Sequence, residues 1–160
     1  MGQLHRTIGV DIGGTNIKIG TLRHDGTVLA SEQIPTHADA GPEQAVRRLA
    51  DVLRRLMREQ RIEPRELGAL GVASAGLVDP ERNVVVNSPN LRSWEMFPLA
   101  ERLQEVTGAD VHVENDVNAM AYAEWRCGAG RGTRNLVCLT LGTGVGGGLV
   151  LDGGLYRGAR

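Results

Sequence analysis

Apolar residues alternate with polar or small ones over three short stretches near the start of the chain, 7–12, 16–22 and 27–34, and the breaks fall at Gly13-Gly14 and at His24-Asp25-Gly26. A period of two bounded by turn residues predicts strands, and connections this short predict an antiparallel meander. At Gly41-Pro42 the period changes. Val46, Leu49, Leu53, Leu56 and Met57 recur at helical spacing, so a long helix is predicted to run to near Ile62-Glu63-Pro64 and to cover one face of the sheet. Leu67 to Ser74 reads as a buried strand entering the loop from Ala75 to Pro80. Asn83 to Asn87 reads as a short β segment leading to the polar loop Ser88-Pro89-Asn90-Leu91-Arg92-Ser93-Trp94. Pro98 to Thr107 is a second helix with Leu99, Leu103 and Val106 inward and Gly108 closing it. Val111 to Glu114 is a strand, and Asn115-Asp116 caps a third helix through about Cys127. Gly128 to Gly132 has the composition of a hinge. The order β-β-β-α-β-α-β-α is a mixed sheet with helical crossovers, which is the α/β class.

The pattern then begins again. Ile8 to Gly20 aligns with Val137 to Leu149, so that strand, glycine turn and returning apolar stretch coincide, and Asp25-Gly26 matches Asp152-Gly153 as a hairpin turn. Two copies far apart in the chain imply two related lobes facing one ligand. Residues 1–130 are expected to form the first lobe, and residues 131–160 the first hairpin of a second, truncated one.

Composition narrows the partners. With 41% hydrophobic and 23% charged residues the chain is an ordinary folded protein, and a net charge of -1 supplies no basic field for nucleic acid or an anionic membrane. The apolar runs are too short to span a bilayer. Cys127 and Cys138 do not make a disulfide framework, and the N-terminus lacks the apolar core of a signal peptide, so a cytoplasmic location is expected.

Glycines directly after a strand let backbone N–H groups approach an anion, and the hydroxyls of Thr15 and Thr143 can add donors. Either turn alone would read as an ordinary hairpin, but two copies favour a pair of phosphate cradles. Asp11 closes the first strand, where a carboxylate beside phosphate calls for a Mg²⁺ between them. Lys18 is the one lysine against 17 arginines. It faces phosphate, serves the fold, or reflects compositional drift towards arginine. Gly142 to Gly147 fits G-x-G-x-x-G, yet Leu149 to Leu151 continues as strand where a dinucleotide fold would open a helix. A Walker A loop is excluded because Ile19 follows the lysine. In Glu114-Asn115-Asp116-Val117-Asn118 a carboxylate sits at a strand-to-helix junction, where it can cap the helix and also accept a hydroxyl proton.

Together, Ile8 to Gly20, Gly76 to Asp79, Ser88 to Leu91 with Trp94, Asn115 to Ala119 and Leu141 to Gly158 resemble the ROK sugar kinases, particularly their bacterial glucokinases. The resemblance implies an actin-like, hexokinase-like (ribonuclease H-like) ATPase lobe that phosphorylates a hexose, glucose above others, at the expense of ATP and with Mg²⁺ as cofactor. Asp11, Gly13, Gly14, Thr15 and Asn16, with Lys18 nearby, would form the first phosphate segment, and Gly142, Thr143 and Gly144 the second. Asp116 would be the catalytic base. Gly76, Asn90, Asn115 and Asp116 would line the sugar site, and Asp11 would hold Mg²⁺ through water. Ala75 departs from the proline common in the family. The family's Glu-x-Gly-His sugar ligands and Cys-rich zinc segment would lie beyond residue 160, so the 160-residue chain is expected to be inactive alone, with structural zinc only in that later part. A homodimer is common in the family.

Two other readings stay open at this stage. One is a sugar-sensing regulator or non-catalytic sugar-binding module of the same family, although the first phosphate strand begins near Thr7 and leaves no room for a helix-turn-helix ahead of it. The other is a truncated, inactive chain. The preferred hexose and the choice between ATP and polyphosphate as donor are likewise open.

Overall fold

The computed structural model describes residues 6–23, 25–63, 66–141 and 144–158. It divides into two compact units, residues 1–114 and 115–160.

In the first unit, β1 (Arg6–Ile12), β2 (Asn16–Leu22) and β3 (Val28–Pro35) form the antiparallel meander that the alternation predicts. Ile8, Val10 and Ile12 of β1 and Ile17 and Ile19 of β2 point into one core. β4 (Leu67–Ser74) pairs in parallel with β1 on its other edge, and β7 (Val111–Asn115) completes the sheet in the order β3-β2-β1-β4-β7. Helix α1 (Pro42–Glu59) buries Ala45, Val46, Leu49, Ala50, Leu53, Leu56 and Met57, a stripe at helical spacing, in the same core. Helix α2 (Leu99–Thr107) adds Leu99, Ala100 and Leu103, and Gly108 ends it in the left-handed conformation at φ 69° with its N–H on Gln104 O.

Two boundaries differ from the sequence reading. α1 stops at Glu59 rather than near Ile62, because Gln60 leaves the helix and Arg61 adopts φ 53°. The segment after β4 is not wholly loop: β5 (Leu77–Asp79) pairs antiparallel with β6 (Val84–Asn87) in a small ribbon. Phe97 extends that ribbon by exchanging two backbone hydrogen bonds with Val85, at 3.0 and 2.9 Å.

In the second unit, α3 (Asp116–Arg126) packs on the meander β8 (Leu136–Leu141), β9 (Val145–Leu151) and β10 (Gly154–Tyr156). This three-stranded antiparallel arrangement repeats β1-β2-β3. The Asp152-Gly153 turn has positive φ at both residues, 51° and 80°, as a tight two-residue hairpin requires. Gly128 to Gly132, whose composition suggests a hinge, carries local hydrogen bonds at the end of α3. Gly130 N donates to Glu124 O at 2.9 Å, Thr133 N to Gly130 O at 3.1 Å and the Trp125 indole to Thr133 O at 2.8 Å. Cys127 and Cys138 are free thiols. No helix among the described residues is long and apolar enough to cross a membrane.

Candidate active site

The turn between β1 and β2 is built by its own backbone and by one residue distant in sequence. Gly13 N donates to Asn16 O at 3.0 Å, closing the turn. Thr36, fully buried just beyond β3, donates its hydroxyl to Gly13 O at 2.7 Å and its N–H to Thr15 O at 2.8 Å. The Arg48 guanidinium on α1 in turn donates to Thr36 O. The sequence reading missed Thr36, whose only signal is a hydroxyl just after a strand.

Asp11 and Lys18 are directly opposed in the β1–β2 register, with Nζ 3.9 Å from Oδ2. Their side chains are 48% and 66% exposed, so the pair is worth little as a stabilising ion pair. Its effect is to place one cation and one carboxylate on the same face beside the glycine turn.

Asn90 meets this turn from the loop after β6. A Cβ on Gly14 would stand 2.9 Å from Asn90 Cβ and 3.1 Å from Asn90 O. Just after Asn90 the loop is anchored by Leu91 and Trp94, each only 1% exposed, and Trp94 packs against Phe97 with ring centroids 5.4 Å apart. Gly76, at φ 101°, sits where a Cβ would be 2.3 Å from Asn87 O and 2.7 Å from Ser88 Cα. Glycine is required there for both conformation and space, and the β4–β5 turn thereby touches the start of the Asn90 loop.

In the second unit, Asn115 is the N-cap of α3. Its Oδ1 accepts from Val117 N at 3.0 Å and Asn118 N at 3.1 Å, while its amide donates to Asp116 Oδ1 at 2.9 Å. Asp116 Oδ1 also accepts from Val117 N at 2.9 Å. The asparagine thus satisfies the helix donors and leaves the aspartate oriented by two hydrogen bonds, both on one oxygen. Capping and presentation of a carboxylate are divided between two adjacent residues.

Gly142 and Thr143, read as the second phosphate segment, lie outside the described residues. Gly144 beside them is exposed, and a Cβ there would find nothing within 4 Å. The later glycines of this stretch serve packing. A Cβ at Gly146 would fall 2.7 Å from Val117 Cγ2, and one at Gly148 2.6 Å from Ala121 Cβ, so both glycines admit α3 onto β9.

Among the described residues no group of three or more His, Cys, Asp or Glu side chains converges as a metal site. Asp11, half-exposed and paired with Lys18, is the carboxylate beside the glycine turn that would hold a Mg²⁺ ion through water.

The mixed α/β sheet of the first unit, with its meander repeated in the second, is the actin-like fold that the resemblance implies. The chain belongs to the ROK family, whose model matches residues 7–160. It is 40% identical over 152 residues to a glucokinase from Streptomyces coelicolor, covering 95% of this chain and 45% of that protein. The crystal structure of a ROK family glucokinase from Streptomyces griseus in complex with glucose and AMPPNP superposes with a TM-score of 0.82 at 36% identity, covering 96% of this chain and 47% of the other. A ROK family transcriptional regulator, a homologue of the E. coli MLC protein, shares the fold at a TM-score of 0.81 and 23% identity, over 96% of this chain and 38% of its own. The chain spans about half the length of the glucokinases it matches.

Proposed function

We propose that this chain is the sugar-binding and first phosphate-binding part of an ATP-dependent hexose kinase that converts glucose to glucose 6-phosphate. The observation that carries the reading is the Asn115–Asp116 pair, a carboxylate held in one orientation at a helix N-terminus by the residue that caps the helix. The similarity to glucokinases over nearly the whole chain supports the choice of substrate.

In this mechanism Asp116 accepts the proton of the sugar's primary hydroxyl as that oxygen attacks the γ-phosphorus. The new O–P bond forms while the bond from phosphorus to the ADP oxygen breaks. Because both described hydrogen bonds fall on Oδ1, Oδ2 is the oxygen that takes the proton. Gly76, Asn90 and Asn115 hold sugar hydroxyls. Backbone N–H groups of Gly14, Thr15 and Asn16, with Lys18, meet the phosphates, while the Gly13 N–H closes the turn on Asn16 O. Asp11 would hold the nucleotide's Mg²⁺ through water, and the ion would offset charge on the phosphate oxygens.

The test is a titration of the isotope-labelled chain with glucose, fructose and N-acetylmannosamine, followed by NMR. Glucose is expected to produce a saturable shift of the Asn90 side-chain amide and of Gly76, larger than the other two sugars produce. A coupled assay on the same 160-residue chain is expected to show negligible turnover, because positioning by the whole site supplies much of the rate in phosphoryl transfer. Absence of a saturable response to any hexose would remove the sugar-kinase reading.

A further inference from the structure

Gly14 does not lie in the left-handed region, so nothing in its backbone conformation demands glycine. What glycine supplies is space, and Asn90 occupies it, with its Cβ 2.9 Å and its carbonyl oxygen 3.1 Å from where a Gly14 Cβ would be. Real Cβ atoms do not approach this closely, so one of the two segments would have to move.

Neither can move freely. Behind the turn stands Thr36, with its hydroxyl on Gly13 O at 2.7 Å and its N–H on Thr15 O at 2.8 Å. Behind the loop stand Leu91 and Trp94, buried in the core, with Trp94 N on Leu91 O at 3.3 Å. Two braced segments therefore meet through one missing side chain. Gly13 is different, since its Cβ would approach only Asn16 O, at 3.1 Å, within the turn itself.

We propose that Gly14 is a positioning residue for the sugar loop: its bare Cα sets where Asn90 stands and couples the placement of the phosphate turn to that of the sugar ligand. The inference rests on the reading of Asn90 as a sugar ligand given above. Occupation of the turn by phosphate and occupation of the loop by sugar then bias one another through this contact.

The experiment compares the wild-type chain with Gly14→Ala, Gly13→Ala, Asn90→Ala and the double variant Gly14→Ala/Asn90→Gly. Gly14→Ala is expected to shift the Leu91 amide and Trp94 indole resonances and to weaken glucose binding by up to about tenfold, the loss of one well-made hydrogen bond to the sugar. Gly13→Ala should leave both resonances in place, and the double variant, which removes the Cβ–Cβ conflict and leaves the milder approach to Asn90 O at 3.1 Å, should move them back towards their wild-type positions. Unmoved Leu91 and Trp94 resonances in Gly14→Ala would overturn the proposal, as would a moved loop with unchanged glucose affinity. If Gly14→Ala does not fold, recovery of a folded chain in the double variant supports the contact, and failure to recover counts against it. Undiminished glucose binding in Asn90→Ala would instead strike the reading of Asn90 itself, whatever Gly14→Ala does to the loop. No glucose binding by the wild-type chain would remove both.

Discussion

The side-chain amide of Asn115 donates to Asp116 Oδ1 at 2.9 Å, while the Oδ1 of the same asparagine holds the N–H groups of Val117 and Asn118. Helix capping and carboxylate orientation are thus separable by mutation. Asp116→Asn keeps the size and leaves the cap on Asn115 intact, so the melting temperature should stay near that of the wild type. In any form of the protein with measurable glucose turnover, kcat should fall at least about 10²-fold, the lower end for loss of a general base. Near-wild-type kcat in a folded Asn variant would place the base elsewhere.

Asn115→Ala should do the reverse to stability. It removes the N-cap acceptor and the amide that orients Asp116, and loss of such a cap costs about 1 kcal/mol. Urea denaturation should show a lowered midpoint with unchanged slope, together with reduced turnover wherever turnover is measurable. A midpoint equal to that of Asp116→Asn would mean that Asn115 does not carry the cap.

Thr36→Val should loosen the phosphate turn without opening a large cavity. The lost hydroxyl donor to Gly13 O is worth about 1 kcal/mol. Amide exchange at Gly13 should quicken, because its bond to Asn16 O loses its backing, while exchange in β4 keeps its rate. Unaltered exchange at Gly13 would show that the turn holds itself.

Gly148 and its neighbour Gly147 should respond oppositely to the same change. Gly148→Ala puts a Cβ 2.6 Å from Ala121 Cβ and 2.8 Å from Val117 O, and overpacking of this kind costs about 1–3 kcal/mol. At Gly147 a Cβ would meet Leu139 Cδ2 at an ordinary 3.8 Å, so alanine there should be neutral or stabilising. Equal thermal stability of the two variants would contradict the packing of α3 on β9.

The face of the second meander turned away from α3 carries Val137, Leu139, Leu141 and Val145, which are 64–82% exposed, with Leu151 and Tyr156 beside them. That is on the order of 500 Å² of contiguous apolar surface, at the upper end of what monomers leave open. The 160-residue chain should therefore self-associate through this face, and Leu139→Lys with Leu141→Lys should return it to a monomer in sedimentation. A wild-type chain that sediments as a monomer at all concentrations would refute this.

Much of the fold was legible because its causes are local. The alternation in Arg6–Ile12 and Asn16–Leu22, the helical stripe from Ala45 to Met57 and the caps at Gly108 and Asn115 each depend on residues a few positions apart. The meander of β8, β9 and β10 could be read from its likeness to the first, although the turns differ: Asp152 and Gly153 are both at positive φ in a two-residue turn, whereas β2 and β3 are joined by a longer connection in which Gly26 but not Asp25 is at positive φ. Asp116, Asn90 and the glycines of the first turn are proposed as site residues on motif and order.

Which segments meet was decided by the tertiary structure. Trp94 stood out in sequence as a rare aromatic in a polar loop, but only packing made it the buried anchor of that loop. Leu77–Asp79 became a strand because β6 lay beside it, and Thr36 became the brace of a turn more than twenty positions away. Glycines that look alike in sequence were given different work: Gly76 admits the backbone of Asn87, Gly14 the side chain of Asn90, and Gly148 a whole helix. A glycine states only that a side chain is missing. What fills the space depends on which distant residue the fold brings there, and that is settled by steric exclusion among segments the local pattern does not relate.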